Sequence, residues 1–166
     1  MTGLSRIWRS GRRAAHDLIG RSAGLIVVAT LLMGMGPLDR LPGARLVGPV
    51  VDGPIDSWRF VEKAGQCQLE TRPQYPHSVT VNCWHLDGQL YIGCMRCQGK
   101  VWSRYVVETK LARVKIASQV YRVTLERTTD PQEMTFSWAA RWDQLGRARP
   151  VGSVPEDYWL YRVTSR

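Results

Sequence analysis

Seventeen consecutive residues without a charge, Ser22 to Leu38 (SAGLIVVATLLMGMGPL), constrain this chain more than any other feature. As a helix rising 1.5 Å per residue the run spans roughly 25 Å, slightly less than the ~30 Å hydrocarbon core of a bilayer. Arg21 and Arg40 flank it and cover the difference by snorkelling toward the headgroups. Five arginines precede its end or border it (Arg6, Arg9, Arg12, Arg13, Arg21), which predicts a cytoplasmic N-terminus and places everything after Leu38 on the outer or periplasmic side. A cleaved signal peptide is the competing reading. Its best site, Gly34-Met35-Gly36, is followed by Pro37, and Ala44 lies well beyond the apolar run. The segment holds no cysteine to accept a lipid, and Arg12-Arg13 matches a twin-arginine signal only weakly. These site arguments favour a single-pass anchor in the cell membrane, with membrane lipid as its partner.

The boundaries follow. Residues 1–21 form a basic cytoplasmic N-terminus and 22–38 the transmembrane or signal-anchor segment. Residues 39–56 read as a linker, because Pro42, Gly43, Gly48, Pro49, Gly53 and Pro54 break any helical or strand period. Residues 57–166 remain for one domain, all that 166 residues accommodate beside a leader. The net charge of +9 is concentrated at the membrane end: residues 1–45 carry seven Arg against Asp17 and Asp39. A nucleic-acid binder needs its basic stripe on the folded domain, so no nucleic-acid partner is expected.

From Ser57 onward the pattern changes to period two. Gln66–Thr71 and Ser78–Leu86 read as strands, and Asp87-Gly88 signals a two-residue hairpin into Gln89–Met95. Val101–Lys110 reads as a short helix with Val101, Tyr105 and Val106 at helical spacing. Leu111–Ala117 and Val120–Arg127 form a hairpin around Ser118-Gln119. Asp130 is the expected N-cap of a second helix, Pro131 its first residue and Glu133 its capping-box partner. Met134, Trp138, Trp142 and Leu145 line one face of that helix for core packing, and Gly146 ends it. Tyr158–Thr164 is the last strand. The order β-β-β-α-β-β-α-β defines a mainly β, α+β domain with two short helices, and a closed or partly closed antiparallel barrel removes its strand edges.

This order, with the DGQLYIG hairpin at Asp87–Gly93, the GKVWSRY run at Gly99–Tyr105 and the TDP helix start at Thr129–Pro131, resembles the pyridoxamine-phosphate-oxidase-like split β-barrels. The resemblance implies a split antiparallel β-barrel, here preceded by the one transmembrane helix read from Ser22–Leu38. It also implies a flavin-like cofactor, FMN or the deazaflavin F420, held between two subunits of a homodimer, and an oxidoreductase of unspecified substrate. In flavin-binding members a Ser-Arg-Lys stretch and basic residues on the second strand hold the phosphate. Here Gln98-Gly99-Lys100 falls at the first of these, so Lys100 carries over, while Val79–Trp84 has no basic residue. Arg96, Lys100 and Arg104, with Gln98 and Trp102 beside them, form the candidate cofactor site. Solvated charges on a loop and helix are the alternative. Trp84, Tyr91, Trp102 and Tyr105 are aromatic candidates to flank a planar ring, or else core and interface packing. The departures from the clamp support a second function class, a non-catalytic envelope binding or interaction module. Haem binding through His77 or His85 is a third.

Four cysteines facing an exported compartment are candidates for oxidation. A hairpin centred near residue 75 sets Cys67 directly opposite Cys83, within disulfide range, and predicts that pair. Cys94-Met95-Arg96-Cys97 has the spacing of a redox or metal half-site, and zinc held by Cys94, Cys97 and His85 lacks a fourth ligand. A second disulfide or two free thiols is the plainer reading. No nucleophile elbow, phosphate loop or HExxH motif is present.

Overall fold

The computed structural model describes Gly43 and residues 45–61 and 65–166. The apolar run Ser22–Leu38 and the basic N-terminus lie outside these residues. Among the described residues no helix is long and apolar enough to cross a membrane.

Seven strands and two helices alternate along the chain: β1 (Val50–Val51), β2 (Gly65–Thr71), β3 (His77–Leu86), β4 (Gln89–Met95), α1 (Val101–Glu108), β5 (Leu111–Ile116), β6 (Gln119–Thr128), α2 (Pro131–Gln144) and β7 (Tyr158–Ser165). Six of them close a barrel in the order β6–β5–β2–β3–β4–β7 and back to β6, every pair antiparallel. Closure depends on β6 serving two neighbours. Its first half, Gln119–Thr124, pairs with β5, and its second, Val123–Thr128, pairs with β7. The result leaves few free edges, as the period-two pattern requires.

The stretch read as a linker does more than connect. Val50 and Val51 lie parallel to Val120 and Tyr121, and Leu46 is buried. The Leu46 backbone N–H donates to Glu70 Oε2 at 2.5 Å, and the same carboxylate, almost fully buried, takes Arg113 at 3.1 Å. A buried carboxylate needs such partners, and here one of them fastens the approach segment to the barrel wall.

Alternation along each strand sorts side chains to two sides. Cys67, Leu69, Val81, Cys83, Leu90, Ile92, Val114, Tyr121, Val123, Leu125, Tyr161 and Val163 fill the interior. The opposite residues of β3, β4 and β7, namely Trp84, Tyr91, Tyr158 and Leu160, point outward and are still buried, because α2 lays Met134, Trp138 and Ala140 over them. β4 is therefore buried on both faces. Gly93 is the consequence: a Cβ there would sit 1.9 Å from the Tyr158 hydroxyl and 2.5 Å from the Trp84 ring, so only glycine admits the helix's aromatic layer.

Two local readings need correction. Asp130 caps α2 by accepting from the Gln132 N–H at 2.8 Å, and Gly146 ends it with φ +61°. Glu133, however, does not close a capping box. It turns to the barrel, accepting from Tyr91 (2.7 Å), Thr128 (2.6 Å) and both arms of Arg162 (3.0 and 2.7 Å). Three outside donors, one of them a cation, outcompete a single backbone N–H. The register of the β2–β3 hairpin also differs by two residues: Cys67 faces Val81, and Cys83 faces Gly65. Cys67 and Cys83 are joined all the same, because their diagonal is closed to a Cα–Cα distance of 5.9 Å in the twisted sheet.

Candidate functional site

At the end of β4 the chain reverses through Arg96, a non-glycine residue at φ +51°, and a 3-10 turn at Cys97–Gly99 before α1 begins. A second disulfide, Cys94–Cys97, closes this reversal across a Cα–Cα distance of 5.4 Å, so all four cysteines are paired. Ser103 Oγ lies 2.5 Å from the Cys97 carbonyl and 2.8 Å from that of Lys100, sharing its one proton between them. Beside the turn is an open groove of about 640 Å³. Arg96, Cys97 and Gln98 from the turn and Glu156, Asp157 and Trp159 from the approach to β7 line it. Arg127 covers Trp159, its guanidinium 3.9 Å from the ring centroid.

The five residues nominated for a cofactor separate into three places. Arg96 and Gln98 line the groove. Lys100 and Arg104 are exposed at the start and first turn of α1, outside the groove lining. Trp102 is 4% exposed and packs on Tyr161 inside the barrel, with ring centroids 5.4 Å apart. It offers no face to a ligand. Burial pushes the Tyr161 hydroxyl up to about 12, so it stays neutral near neutrality, 4.0 Å from Cys97 Sγ. The remaining aromatic candidates serve packing too: Trp84 donates to Ser137 Oγ at 3.1 Å beneath α2, and Tyr105 meets His77 edge-on at 6.0 Å. His77 and His85 sit at opposite ends of β3. Among the described residues no cluster of three metal-ligating side chains exists, and the Cys94–Cys97 bond removes two of the three ligands considered for zinc.

The fit of a flavin phosphate can be judged from these positions. A dianion in the groove meets one cation, Arg96, and two carboxylates, Glu156 and Asp157, and the other nominated cations lie outside its lining. The nominated residues of one chain do not form a phosphate clamp.

Two further grooves border α2. One, about 440 Å³, runs along Leu86, Asp87, Phe136 and Ala139, and its one cation, Arg149, is already in a bidentate pair with Asp143 at 2.9 and 2.5 Å. The other, about 330 Å³, lies where the helix ends against β2 and β3, and both of its charged residues are arginines, Arg141 and Arg147. Sequence reasoning passed over both. Arg141 lies between Trp138 and Trp142 on a helix whose apolar face reads as packing, and an arginine flanked by two tryptophans is the available signal.

Comparison with known proteins places the fold. Over 64% of this chain and 87% of its own length, a candidate pyridoxamine 5'-phosphate oxidase from Listeria innocua superposes with a TM-score of 0.51 at 10% identity. An F420 reductase (69% and 96% coverage, TM-score 0.47, 14% identity) is a weaker likeness. So is a NimC/NimA family protein from Clostridium acetobutylicum (63% and 75%, 0.42, 14%). No family model and no curated protein matches the chain. The neighbours are split-barrel proteins of the pyridoxamine-oxidase-like type, and the described domain is mainly β, a six-stranded antiparallel barrel with two helices.

Proposed function

We propose that the chain is a membrane-tethered binding module: an N-terminal anchor in the cell membrane carrying, on the outer or periplasmic side, a split barrel that binds rather than catalyses. The observation that carries this reading is the dispersal of the five nominated cofactor residues, with Glu156 and Asp157 opposite Arg96. The two disulfides accord with an oxidising compartment. The test is to purify the full chain in detergent and record its visible spectrum alone and with FMN, F420 and haem. A folded protein that remains colourless and binds none of them is expected.

A second reading, a flavin-like cofactor protein acting as an oxidoreductase, draws on the fold likeness and on Lys100 and Arg104, cations one helical turn apart with no carboxylate partner among the described residues. A homodimer would have to bring a second chain to complete the site. A bound flavin-like band that weakens in Lys100→Ala would establish it and remove the first reading. A Soret band lost in His85→Ala would instead make haem the ligand.

A further inference from the structure

The three grooves differ in one respect that geometry alone does not dictate: how their charges are balanced. The groove at the β4 turn sets Arg96 against Glu156 and Asp157. The Leu86–Phe136 groove carries Arg149 already paired with Asp143. The groove at the end of α2 has no carboxylate in its lining. It gathers Arg141 and Arg147 from the helix end and the turn after it, with the side-chain amides of Gln66 on β2 and Asn82 on β3. Neither arginine's side chain makes an ion pair or a hydrogen bond to a described group, although the Arg147 backbone N–H donates to the Trp142 carbonyl at 3.1 Å.

We propose that this groove is a binding site for a phosphate group, free or at the end of a larger ligand. Arg141 is half-buried, and three indoles hold it there: its guanidinium carbon is 5.1 Å from the Trp142 ring centroid, 5.8 Å from Trp84 and 5.9 Å from Trp138. Stacking occupies the faces of a guanidinium and leaves its N–H edge to donate in the plane. A cation partly withdrawn from water and lacking an acceptor is under-satisfied, and an anion in the groove supplies what it lacks. Attraction between Arg141 and the carbonyl end of α2 explains a cation at that position. It does not explain a second one in Arg147, or the two side-chain amides of Gln66 and Asn82 that line the same groove. Two guanidinium groups plus two amides present more donors than a carboxylate has oxygens to receive them, and they suit the oxygens of a phosphate. The site is separate from the groove at the β4 turn and stands under either reading of function.

The indoles around Arg141 give the readout. Inorganic phosphate is titrated into the full chain in detergent at constant ionic strength, with sodium chloride as the matched control, and tryptophan fluorescence is followed. The expected result is a saturable change with phosphate and none with chloride. Arg147→Gln, an exposed position, should weaken binding at least tenfold, and the pair Arg141→Gln with Arg147→Gln should abolish it. Arg122→Gln, which removes an equal charge from β6, should bind like the parent. Glycerol 3-phosphate in parallel separates the sources: equal affinity marks a site for the phosphate group itself, and tighter binding marks one for an ester such as a lipid headgroup. A response to chloride equal to that of phosphate would overturn the proposal, as would parental affinity in a folded Arg147→Gln protein.

Discussion

The two helices hold the same barrel by different means. α2 is bound along its length: Glu133 to Tyr91 and Arg162 at its start, Ser137 to Trp84 in the middle, Trp138 against Tyr158 at 4.8 Å, and Gln144 to the His85 carbonyl at its end. α1 is shorter and is held by Trp102 and Val106 in the core and by the Cys94–Cys97 clip before its first turn. Each region has a groove with a half-cystine in its wall, Cys83 beside α2 and Cys97 beside α1. The difference teaches where rigidity resides. The α2 side is specified by many contacts distant in sequence, the α1 side by fewer of them, such as Trp102 on Tyr161, and by one local covalent link.

The largest effect should come from Gly93→Ala. With the Tyr158 hydroxyl and Trp84 ring inside contact distance, overpacking should cost about 3 kcal/mol or more, measured by urea unfolding. A change below the detection limit would mean that α2 lifts easily, and the contrast would fail. Next, Cys67→Ser with Cys83→Ser opens a loop of sequence separation 16 and should cost about 3 kcal/mol. The same paired change at Cys94 and Cys97, separation 3, should cost only about half as much, roughly 1.5 kcal/mol. An equal loss at both would show that the α1 clip stabilises more than its own short loop. Glu133→Gln, which weakens the acceptor for Tyr91, Thr128 and Arg162, should cost about 2 kcal/mol without altering phosphate affinity at the far end of α2. Lys110→Ala, which removes a fully exposed pair with Glu126, should leave the unfolding midpoint unchanged.

Titration divides the same way. Burial would raise the Glu133 carboxyl, but its hydrogen bonds and Arg162 hold it below the ordinary 4.5. Its contribution is therefore complete above pH 4.5 and lost as pH falls through the lower folded value. Burial, then Glu133, pushes Tyr91 up to about 12 from 10.0. The unfolded chain releases that proton first, so stability should fall as pH rises from about 10 to 12. Tyr91→Phe should flatten this alkaline limb in a pH series of unfolding midpoints; an unchanged limb would leave the other tyrosines raised by burial, Tyr121, Tyr158 and Tyr161, as its cause.

Element order, the Asp87-Gly88 hairpin, the Asp130 cap and the Gly146 stop were legible in the sequence because each depends on neighbours a few residues apart. Strand ends came within a residue or two for the same reason, and the inward residues followed from period two. The site was less legible. Sequence adjacency grouped Arg96, Gln98, Lys100, Trp102 and Arg104, yet the reversal at Arg96 and the helix after it point five close neighbours in three directions. Glu133 was assigned to a local cap because its true donors lie 5, 29 and 42 residues away. Arg141, Arg147, Gln66 and Asn82 share no sequence pattern at all.

What the sequence determined by itself was the local grammar: which residues alternate, which turn, which cap. Which side of the barrel α2 would cover, that Cys67 would meet Cys83 on a diagonal, and that two arginines would share a groove with a pair of amides were decided by the tertiary structure alone. Barrel closure fixes those relations through long-range register, and register is a property of strands paired together rather than of any one of them.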